Sequence, residues 1–436
     1  MNRFKNITNF DFILFVAMTL LIFLGILFIY SSGINSEGIQ VSNEYIKQII
    51  FASTGLVLIF LAILIDYRKI KRVIPYVYSF FILVLLYTTF FGRYVNGARS
   101  WIGIGTLGIQ PSEFGKIVYI LFFAWFLEKT ENSRESKRFI LSLLFLLLPM
   151  GIILLQPDLG TASVYIPIFL VMCYLARIRL RYILFILIFG LLTIVLTILP
   201  VWQDVIYQKE LPILAILTVN KLRFVIILAM GSITIIALIG TILFQNKYYF
   251  WIVYIFGLIT CALIASKVLG FVLKDYQIKR LIVFLDPQTD PLGAGWNIIQ
   301  SKIAIGSGSI WGQGYLEGTQ SHYRFLPQQS TDFIFSILSE EFGFVGSIFV
   351  FILFFIILFR ILKIMKEATN SFGYYISGGI LIMFFFHFII NVGMVMGIMP
   401  ITGIPLMFLS YGGSSLWTAM LSIGIVLGIK LRRLEF

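Results

Sequence analysis

Two Asp-Pro dipeptides four residues apart, Asp286-Pro287 and Asp290-Pro291, supply carboxylates able to move a proton. A residue before proline is pushed out of the α region, so both carboxylates belong on extended or turned backbone. Gly293 and Gly295 follow directly and allow close approach to the main chain. An Asp-Pro is also an ordinary turn former, and spacing alone favours that role. Downstream lie Gln300-Ser301 and the glycine-rich Gly306-Ser307-Gly308, a stretch whose N–H groups can cradle a phosphate. A second set opens with Pro111, a favoured first helical residue, followed by Ser112, Glu113 and, one turn on along the same face, Lys116. Asp158, in Gln156-Pro157-Asp158-Leu159-Gly160, sits at the mouth of a later apolar run. Two compatible readings stay open. Glu113 and Lys116, joined by Asp158, orient three helices, or Lys116 meets an anionic group of a substrate. His387, between Phe386 and Phe388, reads as a satisfied core histidine ahead of a catalytic one. Gly393 and Gly397 form a small-xxx-small pair that suits helix packing. There are no paired metal ligands, no P-loop and no Ser-His-Asp arrangement.

The elements that hold these groups are set by composition. The chain has 436 residues, 59% hydrophobic and 12% charged, with a mean hydropathy of +0.98. A soluble domain runs at roughly 45–50% apolar and about 25% charged, so soluble, disordered and secreted disulfide-scaffold classes are excluded. What remains is an all-α polytopic membrane helical bundle, since lipid alone solvates so much apolar surface. Twelve apolar runs lie at about 12–31, 48–65, 74–91, 111–128, 139–155, 159–176, 182–199, 224–244, 249–270, 332–359, 372–398 and 404–429. Strand-type alternation is absent, which argues against a barrel. The first run is read as an uncleaved span. Cys173 and Cys261 both fall in apolar runs and read as small core residues.

Basic residues fix the orientation. Arg3 and Lys5, then Arg68, Lys69, Lys71 and Arg72, then Lys129, Arg134, Lys137 and Arg138, fall in alternate connections. Arg177, Arg179 and Arg181, then Arg360, Lys363 and Lys366, and finally Lys430, Arg432 and Arg433 continue the pattern. The positive-inside rule makes that side the cytoplasm, with both termini inside. The net charge of +13 is therefore topological, and nucleic acid is not the expected partner. Lys209, Lys221 and Arg223 break the pattern, falling on the expected outer face. Residues 271–331 form one long outer segment; loops beyond ~12–15 residues are usually functional or disordered, and Trp296, Trp311 and Phe325 argue against disorder here.

In combination these motifs resemble the SEDS family (shape, elongation, division and sporulation proteins) over nearly the whole length. They are NGARSW at 96–101, QPSEFGK at 110–116, QPDLGTA at 156–162 and DPQTDPLGAGWNIIQSKIAIGSG at 286–308. GTQ at 318–320, TDFIF at 331–335, EEFGFVG at 340–346 and NVGMVMGIMPITGIPLMFLSYGGSSL at 391–416 complete the set. The wording GIMPITGIPLMFLSYGG is closer to the RodA branch than to the division branch, FtsW. The resemblance implies a single integral membrane domain, 1–436, with a family core of ten transmembrane helices. About two inserted helices within 182–244 would be added to that core. The large extracytoplasmic loop, 271–331, would carry the catalytic motif.

It further implies a peptidoglycan glycosyltransferase of the bacterial cytoplasmic (inner) membrane that polymerises lipid II on the outer face during cell elongation. A class B penicillin-binding protein would crosslink the product. The reaction is a single inversion, in which a sugar hydroxyl attacks an anomeric carbon bearing a polyprenyl pyrophosphate, and one carboxylate base suffices. The family pattern maps that base to Asp290, leaving Asp286 to order the loop. Arg99 and Lys116 are the cations expected at the departing pyrophosphate, with Gln300 and Ser301 at the substrate. Glu113 and Asp158 form the supporting network. No cofactor is called for; a divalent cation stays open, although no carboxylate cluster suggests a tightly held one. The alternative is a flippase or transporter of the same lipid-linked precursor, and a third reading is a noncatalytic scaffold. Against transport stand the absence of an internal repeat and the clustering of the polar motifs on one face.

Overall fold

The computed structural model describes residues 10–434 apart from Asn96, Gly105, Thr106, Glu210, Lys274, Leu292 and Pro327. Arg3, Lys5, Asn96 and Leu292, which figured above, thus lie outside the described residues. Two compact units result, one of Met1–Arg177 with Asn297–Phe436 and the other of Ile178–Trp296.

The first unit begins with α1 (Phe12–Ser32), α2 (Glu44–Leu64), the single turn α3 (Tyr67–Ile70) and α4 (Ile74–Phe91). Strands β1 (Arg93–Val95), β2 (Ala98–Ile104) and β3 (Leu107–Ile109) follow, then α5 (Pro111–Lys129), α6 (Glu135–Leu155) and α7 (Leu159–Leu175). The second unit holds α8 (Leu180–Trp202), the short α9 (Ala215–Thr218), α10 (Asn220–Phe244), α11 (Lys247–Val272) and α12 (Asp275–Leu285). α13 (Ala294–Ser307) leads back to the first unit, which ends with α14 (Thr319–His322), α15 (Ile334–Lys366), α16 (Ser371–Val395) and α17 (Gly413–Leu431).

Each of the twelve apolar runs holds a helix, although in 404–429 the helix begins only at Gly413 and residues 404–412 are irregular. Among the described residues ten helices are long and apolar enough to cross a membrane; α7 has 17 residues, and α5 carries Glu113, Lys116, Glu128 and Lys129. In the first unit α17 is the central helix, 78% buried over its most apolar stretch against 17% for α2, which packs on it. In the second unit α10 packs on α11 and α11 on α8. Of the three basic residues that broke the pattern, Lys209 and Lys221 are exposed and Arg223 is not. It is buried, and its guanidinium donates to the Leu217 and Leu263 carbonyls and the Ser266 hydroxyl.

Two expectations are corrected, those for Cys261 and Gly397. The helical bundle also carries a small sheet, in the antiparallel order β1-β2-β3. NGARSW supplies its hairpin turn at Gly97, where φ is +85°, and most of β2. Its strands span 3, 7 and 3 residues, too short for alternation to show. Cys261 is exposed, not in the core. Gly397 lies beyond the end of α16 with φ +71°, so it makes a turn over the Lys302 side chain and not a helix crossing. The stretch 271–331 holds α12, α13 and α14, joined by irregular connections.

The glycine-rich 306–308 stretch also has a structural task. α15 is broken at Gly343, whose φ of 63° and ψ of −156° leave the helix. Carbonyls of Glu340 and Glu341 accept there from the N–H groups of Gln313 (3.0 Å) and Gly314 (3.1 Å). N–H groups of Phe344 and Val345 donate to the Ser309 (2.9 Å) and Ile310 (3.1 Å) carbonyls. A Cβ at Gly308 would run into the Ser339 carbonyl, and one at Gly312 into that of Glu341. These glycines let segment 308–314 plug the break.

Candidate active site

Lys116 and Glu113 meet as their spacing requires. Both are buried, and the ammonium donates to Glu113 Oε1 and Oε2 at 2.8 Å each. The third N–H direction meets His387 Nε2 at 3.1 Å. His387 Nδ1 lies 3.0 Å from the Pro405 carbonyl, which can only accept, so Nδ1 carries the hydrogen and Nε2 receives from Lys116. A neutral imidazole beside a charged ammonium follows from the partners alone. All three N–H directions of Lys116 are thus used within the protein.

The partner of His387 shows why a histidine stands in an apolar helix. The backbone from Pro400 to Leu406 has no regular structure, and irregular backbone at membrane depth needs protein partners for its polar groups. Asn391, one turn beyond His387 on α16, donates to the Ile404 carbonyl at 2.8 Å and that of Asp332 at 3.0 Å. His387 and Asn391 together hold this segment. The sequence reading assigned His387 to the core but missed it as the third partner of Lys116, and no spacing signal joins residues 271 positions apart.

Asp158 stands apart from that trio. As the N-cap of α7 it accepts from the Thr161 N–H (3.0 Å) and hydroxyl (2.8 Å), the usual use of Asp before a helix. Its other bond is from Gln110 Nε2 at 2.7 Å, just before α5 begins. It orients two helices without pairing with Lys116. Arg99, on β2, is exposed and donates from Nη1 to the Phe90 carbonyl at 3.2 Å. Gln300 and Ser301 lie on α13 and are buried. The Ser301 hydroxyl is tied to the Ser336 hydroxyl (2.8 Å) and the Val395 carbonyl (2.6 Å), so it fastens α13 to α15 and α16.

The two Asp-Pro aspartates, in the second unit, differ in kind. Asp286 is the N-cap of a one-turn 3-10 helix, Pro287–Thr289, and its Oδ1 accepts from the Gln288 N–H at 3.0 Å. Its carbonyl takes the Thr289 hydroxyl at 2.8 Å. Asp290 closes the same turn, and its carbonyl accepts from the Gly293 (3.2 Å) and Gly295 (3.0 Å) N–H groups. The half-buried Asp290 carboxylate lies against Gly293, where a Cβ would meet both of its oxygens. A Cβ on Gly295 would strike the Pro287 and Asp290 carbonyls. Both glycines are thus required by the turn that presents Asp290.

Outside these sets stands a cluster the sequence reading did not assign. Glu340 and Glu341 are buried near the start of α15. Glu340 accepts from the N–H groups of Gln320 (2.6 Å) and Ser321 (3.2 Å). Glu341 is bonded by the Ser31 hydroxyl and lies 3.7 Å from His322 Nε2. Two adjacent acids in a membrane helix were the available signal.

Comparison with known proteins gives one answer throughout. The FtsW/RodA/SpoVE family model, described as a cell cycle protein, matches residues 11–211 and 202–434. The "Peptidoglycan glycosyltransferase RodA" of Treponema pallidum (strain Nichols) is 51% identical over 432 residues, 99% of this chain and 100% of that protein. "Peptidoglycan glycosyltransferase MrdB" of Escherichia coli (strain K12) is 31% identical, across 95% of this chain and 93% of its own length. In fold the chain is similar to a solved structure described as "Structural coordination of polymerization and crosslinking by a peptidoglycan synthase complex". That match has a TM-score of 0.67, 24% identity and coverage of 98% and 99%. The crystal structure of the Thermus thermophilus rod shape determining protein RodA matches at TM-score 0.61, 22% identity and 98% coverage of both chains.

Proposed function

The chain belongs to the FtsW/RodA/SpoVE family and is a peptidoglycan glycosyltransferase, and from that premise we propose that Asp290 is its catalytic base. It is a multi-pass inner-membrane protein, and the alternation of basic connections favours both termini in the cytoplasm with the reaction outside. The substrate is lipid II, a disaccharide peptide on a polyprenyl pyrophosphate. A sugar hydroxyl loses its proton to Asp290 as its oxygen attacks the anomeric carbon; the bond to the pyrophosphate breaks with inversion, and the diphosphate leaves with the electron pair.

The observation that carries this assignment is the contrast between neighbouring aspartates. The Asp286 carboxylate caps a turn, while that of Asp290 is half-buried and rests directly against Gly293, where no side chain would fit. A positioned base contributes about 10²–10⁴-fold; the remainder comes from stabilising the leaving group and from positioning. Arg99 suits the diphosphate, being exposed with further N–H donors that can grip phosphate in pairs. Lys116 acts through its positive charge while Glu113 and His387 hold it, with Asp158 fixing the mouths of α5 and α7. Gln300 and Ser301 are assigned to seating α13. A class B penicillin-binding protein is the proposed partner, crosslinking the strand as it emerges. The helices within 182–244 are proposed as an addition to the family core.

The test is purified protein, alone and with its cognate transpeptidase, given labelled lipid II and assayed for glycan length. Polymer that disappears in Asp290→Asn supports the reading. Transbilayer movement of lipid II without polymer would establish the flippase alternative instead.

A further inference from the structure

A cavity of about 530 Å³ lies between the end of α1 and the segment around α14, within the usual range for ligand sites of roughly 300–1,000 Å³. Its walls are well held. On one side Asn35 Oδ1 accepts from the N–H groups of Glu37 (3.1 Å) and Ile39 (2.8 Å), fixing a turn at Gly38. On the other, the Glu340 carboxylate gathers the N–H groups of Gln320 and Ser321. His322 joins the walls, its Nδ1 3.0 Å from the Ile34 carbonyl, which requires the hydrogen on Nδ1. Behind it the Nε2 atom is buried without a hydrogen-bond partner, 3.7 Å from Glu341.

The lining points to a class of ligand. It presents the rings of Tyr30 and Tyr323, the amide of Asn35, and the hydroxyls of Ser36 and Thr319. Glu317 and His322 also line it, but no Lys or Arg does. A phosphate or pyrophosphate would therefore find a carboxylate and no counter-charge. Aromatic faces alternating with amide and hydroxyl groups match instead a neutral polyhydroxylated ligand, whose apolar faces stack and whose rim hydrogen-bonds. Tyr323 is 61% exposed, so its ring is available from the open side.

We propose that this cavity is a saccharide-binding site, built without Asp290, that holds an uncharged segment of glycan carrying N-acetylamino sugars. The identity of the ligand rests on the glycosyltransferase reading; the preference for a neutral polyol rests on the lining. Holding the strand here keeps it on the enzyme between additions, so the site governs strand length and not the chemical step.

The experiment uses the full chain in lipid nanodiscs with chitotetraose, a soluble N-acetylglucosamine oligomer, observed by saturation-transfer NMR. Wild type and Asp290→Asn bind it alike. Tyr323→Ala lowers affinity about three- to tenfold, Asn35→Ala also weakens binding, and Tyr323→Phe, which keeps the ring, retains it. With labelled lipid II, Tyr323→Ala yields shorter strands at an unchanged initial rate. The proposal is overturned if chitotetraose fails to bind wild type, binds both alanine variants as tightly, or is displaced by inorganic pyrophosphate. Binding needs no turnover. An Asp290→Asn protein that binds the oligomer and still makes glycan at the normal rate would thus sink Asp290 as base and leave the saccharide site standing.

Discussion

The buried trio of Glu113, Lys116 and His387 and the turn from Asp286 to Gly295 both bring charge into a largely apolar protein, by opposite means. In the trio every N–H of Lys116 has a partner within 3.1 Å and nothing reaches solvent. In the turn the backbone does the holding, through Gly293 and Gly295 N–H groups on the Asp290 carbonyl, and the carboxylate stays half-buried beside a glycine. The first arrangement is suited to rigidity and electrostatic potential, the second to contact with a substrate. Removing a residue from the first should therefore cost stability, and from the second, rate.

Asp290→Asn gives the sharpest separation. Polymerisation of lipid II should fall by about 10²–10⁴-fold while the melting temperature in detergent holds; a near-normal rate would remove Asp290 as base. Lys116→Met should do the reverse first, leaving Glu113 buried and unpaired and destabilising the protein by about 3–5 kcal/mol, read by thermal unfolding. The exchange Glu113→Lys with Lys116→Glu restores folding if the pair is purely structural, and activity as well only if position 116 needs no positive charge. Gly293→Ala pushes a methyl at the Asp290 oxygens; misplacement on this scale costs on the order of 10²-fold in rate with little change in melting temperature. Equal losses in both measurements would blur the contrast.

A smaller effect is expected where neither region is involved. Asp11, before α1, has a fully buried side chain gripped by Arg360 (2.6 Å) and Lys430 (2.8 Å). Burial pushes its carboxyl up, but the hydrogen bonds from Arg360 and Lys430 outweigh it and hold the group below the usual carboxylate value. Its contribution is therefore complete above about pH 4, the unfolded value, and is lost as pH falls through the lower folded value. Asp11→Asn should lower stability by about 1–3 kcal/mol at neutral pH and flatten the acid limb of the unfolding profile.

Much of this was legible in the sequence because membranes impose simple rules. Apolar runs near the length of a bilayer crossing became the twelve helices, and a spacing of three on one helix put Glu113 beside Lys116. The capping role of Asp286 followed from the turn chemistry of Asp-Pro. What escaped were contacts across the chain. Nothing local pairs Lys116 with His387, or the Pro405 carbonyl with α16. Gly308 was ambiguous for a related reason, because close approach of main chain to main chain has the same sequence signature as close approach to a phosphate. Asp158 was placed at the right helix mouth and given the wrong companion, since capping uses the same carboxylate that pairing would need.

The splice at Gly343 carries a mechanical consequence. Four main-chain hydrogen bonds cross between segment 309–314 and the interrupted α15. Pulling the segment away would break all four at once, each worth about 0.5–1.5 kcal/mol net. The strip and the helix end must accordingly travel as one rigid lever, so a tilt of α15 at its far end would be delivered undiminished to whatever rests on that strip.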